Sequence, residues 1–291
     1  MRKIGFIGLG IMGSNMASHL LRKYKHINII KRNSVNTKKF VKEFTDKGKI
    51  NVYDNHKELA ENSELIISCV GNDNDLKDIY LRENKILDCV KKNTIVVDHT
   101  TASLNISIKL FKEFRSKKVF FFDAPVSGGE IGAQKGNLAI MVGGEKNKFK
   151  VLQKSLDCYY KSIIYMGKSG NGQLTKMVNQ ICVASIIQGL AEGLNFAKKK
   201  KLNIEKLLEV IQNGAAQSWQ LENRSLTMWK NQFNFGFMNK LMLKDLKILL
   251  DESNSSDIKL PITKQIKSFY TKLVKEGYSK EDTSNLIRLL K

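Results

Sequence analysis

The feature that most constrains this chain is a glycine pattern set between a strand and a helix. From Lys3 to Ile7 the residues read as a short apolar strand, Gly8, Gly10 and Gly13 follow, and Met12, Met16 and Leu20 then recur at helical spacing. The first glycine permits a tight turn, the second lets backbone approach a pyrophosphate, and the third allows a helix to pack closely on a strand. The N–H groups at the start of the helix favour an anion there. The loop from Gly8 to Gly13, with Leu9, Ile11 and Met12 between its glycines, is therefore expected to hold the pyrophosphate of a dinucleotide.

The pattern continues as alternating strands and helices. Apolar strands are expected at residues 27–30, 65–70, 94–98 and 119–123, with amphipathic stretches between them, an order that predicts a doubly wound parallel sheet. Residues 138–142 read as one more strand, and residues 162–166 are expected to end the first domain. After Gly172 strands cease, and residues 173–200 read as one long buried helix, followed by helical stretches at 204–213, 240–252, 261–276 and 281–290. The expected fold is α/β: an N-terminal Rossmann-type sheet domain, residues 1–165, and an all-α domain, residues 166–291. With only two prolines, Pro125 and Pro261, and no Gly/Ser tract, no flexible linker is expected between them.

A chain of 291 residues with 42% hydrophobic residues can bury a large core, which excludes general disorder. The net charge of +21 could attract nucleic acid or anionic metabolites. Its lysines are spread over both halves, and neither aromatic stacking motifs nor a recognition-helix signature accompanies them, so nucleic acid is not the expected partner. Cys69, Cys89, Cys158 and Cys182 lack metal-ligand spacing, and three of them lie in apolar or helical stretches where a thiol packs, so a reduced, cytoplasmic protein is expected. The histidines at 19, 26, 56 and 99 show no paired spacing, so no metal is expected. No segment reads as an uninterrupted apolar span, so no membrane role is expected. Gly167-Lys168-Ser169 imitates the end of a phosphate loop, but Ser162 stands where the required earlier glycine would be.

An acidic residue usually holds the adenosine ribose hydroxyls at the end of the second strand of an NAD site. Here Lys31, Arg32 and Asn33 stand in that region. A guanidinium matches a ribose phosphate in charge and in donors, so NADP is favoured over NAD, with Arg32 as the leading contact and Asn33 beside it.

Four stretches carry a family resemblance: GFIGLGIMGSNMASHL at 5–20, DAPVSGGEIGAQKG at 123–136, GKSGNGQLTKMVNQ at 167–180 and MNKLMLKDLKILL at 238–250. Together, and in this order, they resemble the β-hydroxyacid dehydrogenases, which act on 3-hydroxyisobutyrate, tartronate semialdehyde, and succinic semialdehyde or glyoxylate. The resemblance implies an NAD(P)-dependent oxidoreductase of a small anionic hydroxy or semialdehyde acid, a C-terminal domain like that of 6-phosphogluconate dehydrogenase, and a homodimer or homotetramer. It implies Lys176 as general acid or base. Ser127, Gly128 and Gly129 would hold the substrate carboxylate, for which two glycine N–H groups and a hydroxyl are suitable donors. Asn179, Gln180 and Trp219, the last beside Gln217 and Ser218, would line the substrate. Val70, Gly71, Asp75, Thr101 and Lys244 would border the cofactor.

Two departures stand out. The family often has asparagine four residues after the lysine, where this chain has Gln180, and it has proline where this chain has Gly71. The alternative from a different functional class is a catalytically silent cofactor-binding protein with a nucleic-acid or partner-binding role, which in relatives accompanies loss of the lysine. Imine-reducing relatives also replace it.

Overall fold

The computed structural model describes residues 3–83 and 85–290. Nine strands form one sheet: β1 (Ile4–Ile7), β2 (His26–Ile30), β3 (Lys49–Tyr53), β4 (Leu65–Ser68), β5 (Ile95–Asp98), β6 (Phe120–Asp123), β7 (Val126–Ser127), β8 (Leu138–Gly143) and β9 (Tyr160–Gly167). Their order is β3-β2-β1-β4-β5-β6-β8-β7, with β9 on β8. The six strands from β3 to β6 are parallel, so the order reverses between β1 and β4. That reversal opens a crevice at the carboxyl ends of the strands, where open α/β sheets bind ligands.

Helices cover both faces of the sheet, as strand periodicity demands. Ile4 and Phe6 of β1, Leu65 and Ile67 of β4, and Ile95 and Val97 of β5 point into one core with α1 (Ile11–Tyr24) and α2 (Ser34–Phe44). Ile7, Ile66 and Val96, one residue out of phase, point into the other, with α3 (His56–Glu61), α4 (Asp73–Tyr80), α5 (Ile86–Cys89) and α6 (Leu104–Ser116). The short helix α7 (Gly129–Lys135) and α8 (Lys146–Leu156) complete the side that carries α1. Their burial of aliphatic and aromatic side chains, at roughly 25 cal/mol per Å² of apolar surface, is the main stabilising term.

The doubly wound sheet expected from the sequence is present, with two corrections. β3 was expected as helix or connection; it is an edge strand whose residues are only partly covered, so it lacks the apolar run that identifies buried strands. The sheet is also not wholly parallel, because β8 runs antiparallel to β6 and β7.

The chain divides into two compact units between Lys176 and Met177. The second unit is helical: most of α9 (Asn171–Lys199), then α10 (Ile204–Gln212), α11 (Trp219–Trp229), α12 (Asn239–Ser255), α13 (Pro261–Lys275) and a 3-10 helix (Thr283–Leu290). Its core is built from Ala184, Ile187, Ala191 and Leu194 of α9 with Met242, Leu246 and Leu249 of α12 and Tyr270 of α13.

Three expectations need correction here. α9 is not buried all round, since Val178, Ile186 and Phe196 are exposed. By length and composition it is also apolar enough to cross a membrane, with a mean hydropathy of 1.2 over an 18-residue stretch. α11 was not expected; its inner face includes Arg224 and Ser225, so the apolar periodicity is broken.

Candidate functional site

The loop after β1 separates its three glycines by role. Gly8 has φ +98°, and a Cβ there would lie 2.1 Å from the Cys69 carbonyl oxygen and 3.0 Å from Val70. At Gly13 a Cβ would lie 1.8 Å from the Gly8 carbonyl oxygen. At Gly10, by contrast, a Cβ would meet nothing within 4 Å. Gly8 and Gly13 are thus required by the protein's own packing, whereas Gly10 keeps backbone bare toward open space. Gly10 also caps α1 without a side-chain hydrogen bond, and the first turn of α1 carries no acidic residue. Bare N–H groups and a positive helix end fit a pyrophosphate.

The neighbouring loops are tied to one another by hydrogen bonds and an ion pair. After β4 the Val70 N–H donates to Oγ1 of Thr100, 3.0 Å, and Thr100 lies just before Thr101 in the loop after β5. After β2, Arg32 pairs with Asp75 in the first turn of α4, and the Asn33 side chain accepts from the Asn36 N–H to cap α2. The structure therefore brings Gly8, Val70, Gly71, Arg32, Asp75 and Thr101 to the carboxyl ends of adjoining strands.

Two buried aspartates, absent from the sequence reading as site residues, hold this end of the sheet together. Asp98 and Asp123 are register partners at the ends of β5 and β6, and both are fully inaccessible. Oδ1 of Asp98 accepts from the Ser68 hydroxyl (2.6 Å), the Thr100 hydroxyl (2.6 Å) and the Thr100 N–H (3.1 Å). Burial nonetheless pushes its carboxyl up to about 7. Asp123 accepts from the Gly170 N–H (2.7 Å), the Ser169 hydroxyl (3.2 Å) and the Gln173 N–H (3.1 Å), and burial pushes it up to about 6. The Gln173 side chain donates to the Thr100 carbonyl (2.7 Å) and accepts from the Ala102 N–H (3.1 Å). These bonds fix the start of α9, the helix that carries Lys176, against the ends of β5 and β6. Asp123 opens the DAPVSGG stretch, so its position was visible in the sequence and its capping role was not.

Lys176 is buried, at 7% exposure, and its ammonium donates to the Val126 carbonyl at 2.9 Å. Val126 immediately precedes Ser127, Gly128 and Gly129. Gly128 and Gly129 have φ +128° and +61°, and a Cβ on Gly129 would meet nothing within 4 Å, so backbone there is open to a bound group. The expected proton-transfer lysine and the expected carboxylate loop therefore sit together.

The remaining expected residues lie in the helical unit. Asn179 donates to Oε1 of Gln180 (2.8 Å), and Gln180 donates to Oδ2 of the buried Asp245 (2.7 Å), whose other oxygen lies 3.1 Å from the Lys244 ammonium. Asp245 was missed, although Lys244-Asp245-Leu246 had drawn notice for its lysine. Trp219 opens α11 behind the Ser218 cap and is 44% exposed. The Arg224 guanidinium lies 4.9 Å from its ring centre and pairs with the buried Asp282 at 3.1 Å. Among the described residues no cluster of His, Cys, Asp and Glu could hold a metal ion.

Comparison with known proteins assigns the family. Residues 3–167 match the NAD binding domain of 6-phosphogluconate dehydrogenase, and residues 170–290 match the NAD-binding domain of NADP-dependent 3-hydroxyisobutyrate dehydrogenase. The chain belongs to the β-hydroxyacid dehydrogenase family. It is 40% identical over 290 residues to an uncharacterized oxidoreductase of Shewanella frigidimarina, covering 100% of this chain and 98% of that one. It is 30% identical over 295 residues to the mitochondrial 3-hydroxyisobutyrate dehydrogenase of Mus musculus, covering 99% and 87%. The solved Mycobacterium tuberculosis 3-hydroxyisobutyrate dehydrogenase with L-serine superposes with a TM-score of 0.89 at 24% identity, over 100% of this chain and 99% of that one, a likeness of fold. The family consists of NAD(P)-dependent oxidoreductases, and this member has the Rossmann-type sheet and the helical C-terminal domain that the family requires.

Proposed function

We propose that this dehydrogenase interconverts a small β-hydroxy acid and its semialdehyde or keto acid, with Lys176 as general acid and base. The observation that carries the reading is the buried Lys176 ammonium held 2.9 Å from the Val126 carbonyl, beside the open Ser127-Gly128-Gly129 backbone. The bound nicotinamide cofactor supplies or accepts the hydride. Lys176 gives a proton to the carbonyl oxygen during reduction, or takes one from the hydroxyl during oxidation. The Gly128 and Gly129 N–H groups and the Ser127 hydroxyl hold the substrate carboxylate, which fixes the reacting carbon relative to Lys176. Asn179, Gln180 and Trp219 line the substrate in this reading, and Lys244 borders the nicotinamide end of the cofactor.

The loop from Gly8 to Gly13, including Leu9, Ile11 and Met12, holds the pyrophosphate, while Val70, Gly71, Asp75 and Thr101 border the rest of the dinucleotide. NADP is favoured over NAD because Arg32 stands where an acidic residue would hold the ribose hydroxyls of NAD. The matched NADP-dependent family agrees with that preference. We divide these roles between a dinucleotide-binding domain at 1–165 and a substrate-closing and oligomerisation domain at 166–291. A cytoplasmic homodimer or homotetramer completes the reading. With Lys176 in place and relatives that are oxidoreductases, nothing favours the catalytically silent alternative.

The test is a substrate panel. Loss of NADPH and NADH absorbance is followed with succinic semialdehyde, glyoxylate, tartronate semialdehyde and methylmalonate semialdehyde. Turnover with at least one acid, faster with NADPH, is expected; tight cofactor binding without turnover of any of them would overturn the substrate class.

A further inference from the structure

Arg32 does not stand alone at the end of β2. Its guanidinium pairs with Oδ1 of Asp75, while Oδ2 of the same carboxylate accepts from the Gly71 N–H at 2.9 Å. Gly71 serves this contact in two ways. A Cβ there would lie 2.6 Å from that Oδ2, so a larger residue would push the carboxylate out of its present position. A proline, the residue usual in the family, has no N–H to donate. Asp75 also lies in the first turn of α4, where the helix end favours a negative charge. The departure at Gly71 and the carboxylate at Asp75 thus form one arrangement, and it faces Arg32.

The other groups around this strand end are basic, neutral or already engaged: Asp73 accepts from the Ser103 N–H at 3.0 Å and from the Ser103 hydroxyl at 2.5 Å. Lys85 lies 3.4 Å from Nδ1 of His56, and burial, Lys85 and Arg32 together push His56 down to about 4, so its ring is neutral near pH 7. Asp54 is engaged with Lys31 at 3.4 Å. Asp75 is therefore the group that offsets the Arg32 charge.

We propose that Asp75 is a cofactor-selectivity residue, which holds Arg32 and offsets its charge so that NADPH is preferred only moderately and NADH is also accepted. The proposal rests on the dinucleotide reading given above. A ribose phosphate reaching Arg32 must share the guanidinium with the Asp75 carboxylate and meets its repulsion, whereas a ribose hydroxyl meets neither cost and can donate to that carboxylate.

The experiment is equilibrium titration of the whole protein with NADPH and with NADH, for wild type, Asp75→Asn and Arg32→Gln, with thermal melts to confirm folding. Asp75→Asn keeps an oxygen for the Gly71 N–H and removes the charge. The ratio of the NADH Kd to the NADPH Kd should rise about fivefold in Asp75→Asn and fall below the wild-type value in Arg32→Gln. An unchanged or lowered ratio in Asp75→Asn, including equal weakening of both cofactors through a purely structural role, would overturn the proposal. A ratio unmoved by Arg32→Gln would overturn it as well, by removing the phosphate contact. Wild-type protein that bound neither dinucleotide would overturn the underlying reading itself.

Discussion

The loop after β1 and the core of the helical unit both fit polar groups against close packing, and they do so in opposite ways. In the loop the polar groups are backbone, and three glycines expose or pack them within six residues of sequence, Gly8 to Gly13. In the helical unit they are side chains, and partners lie far apart: Arg224 meets Asp282 across 58 residues, and Gln180 meets Asp245 across 65. Local backbone geometry has a local sequence signature, while long-range charge pairing has none. That difference explains both what can be inferred before a structure is known and where each region should fail under substitution.

The sharpest break in the comparison should come from Asp282→Ala. Asp282 accepts from the Arg224 side chain, the Phe237 N–H, and the Ser284 N–H and hydroxyl, all in a region where Asp282 is inaccessible. Its removal leaves a buried guanidinium unpaired and should cost about 3–5 kcal/mol, read as a shift of the denaturant midpoint. A loss below about 1 kcal/mol would mean that the helical core does not depend on the pair.

Within the loop, Gly8→Ala and Gly10→Ala should separate packing from binding. Gly8→Ala forces a Cβ against the Cys69 carbonyl at a left-handed φ and should destabilise the protein by about 2–3 kcal/mol. Gly10→Ala has open space and should leave the melting temperature nearly unchanged while weakening dinucleotide binding at least about tenfold. Equal destabilisation by both would remove the distinction between the glycines.

The smallest effect concerns pH. Burial raises Asp98 from an ordinary 3.8 to about 7, and Asp123 from 3.8 to about 6. The folded state therefore holds more protons than the unfolded chain between those values. Stability from this source is fully present below about pH 3.8, falls as pH rises toward 7, and changes no further above it. Asp98→Asn should flatten the dependence by about 1–2 kcal/mol, with the largest difference from wild type at pH 8. Parallel profiles of wild type and variant from pH 5 to 8 would contradict the assignment.

Much of the fold was legible because its signals are local. β1, α1 and the buried strands β4, β5 and β6 announce themselves as apolar runs ended by turn residues, and α9 as a breaker-free stretch. β3 did not, since an edge strand needs no apolar run, and α11 did not, since Arg224 interrupts its inner face. In the candidate site, motif order alone singled out Lys176 and Ser127 to Gly129, which the fold places next to each other. Asp98, Asp123 and Asp245 were not, because an aspartate in sequence reads as surface until the groups that hydrogen-bond it are placed. Arg32 and Asp75 were each visible, and only the fold reveals that they pair.

The most direct test of the central claim is the steady-state kcat of Lys176→Ala, measured with the best substrate of the panel and a saturating cofactor, on protein shown to be folded. The account predicts a fall of at least about 100-fold, the loss expected when a positioned acid–base group is removed. A kcat within about threefold of wild type would show that the proton travels by another route and that Lys176 is only a packed lysine bound to the Val126 carbonyl.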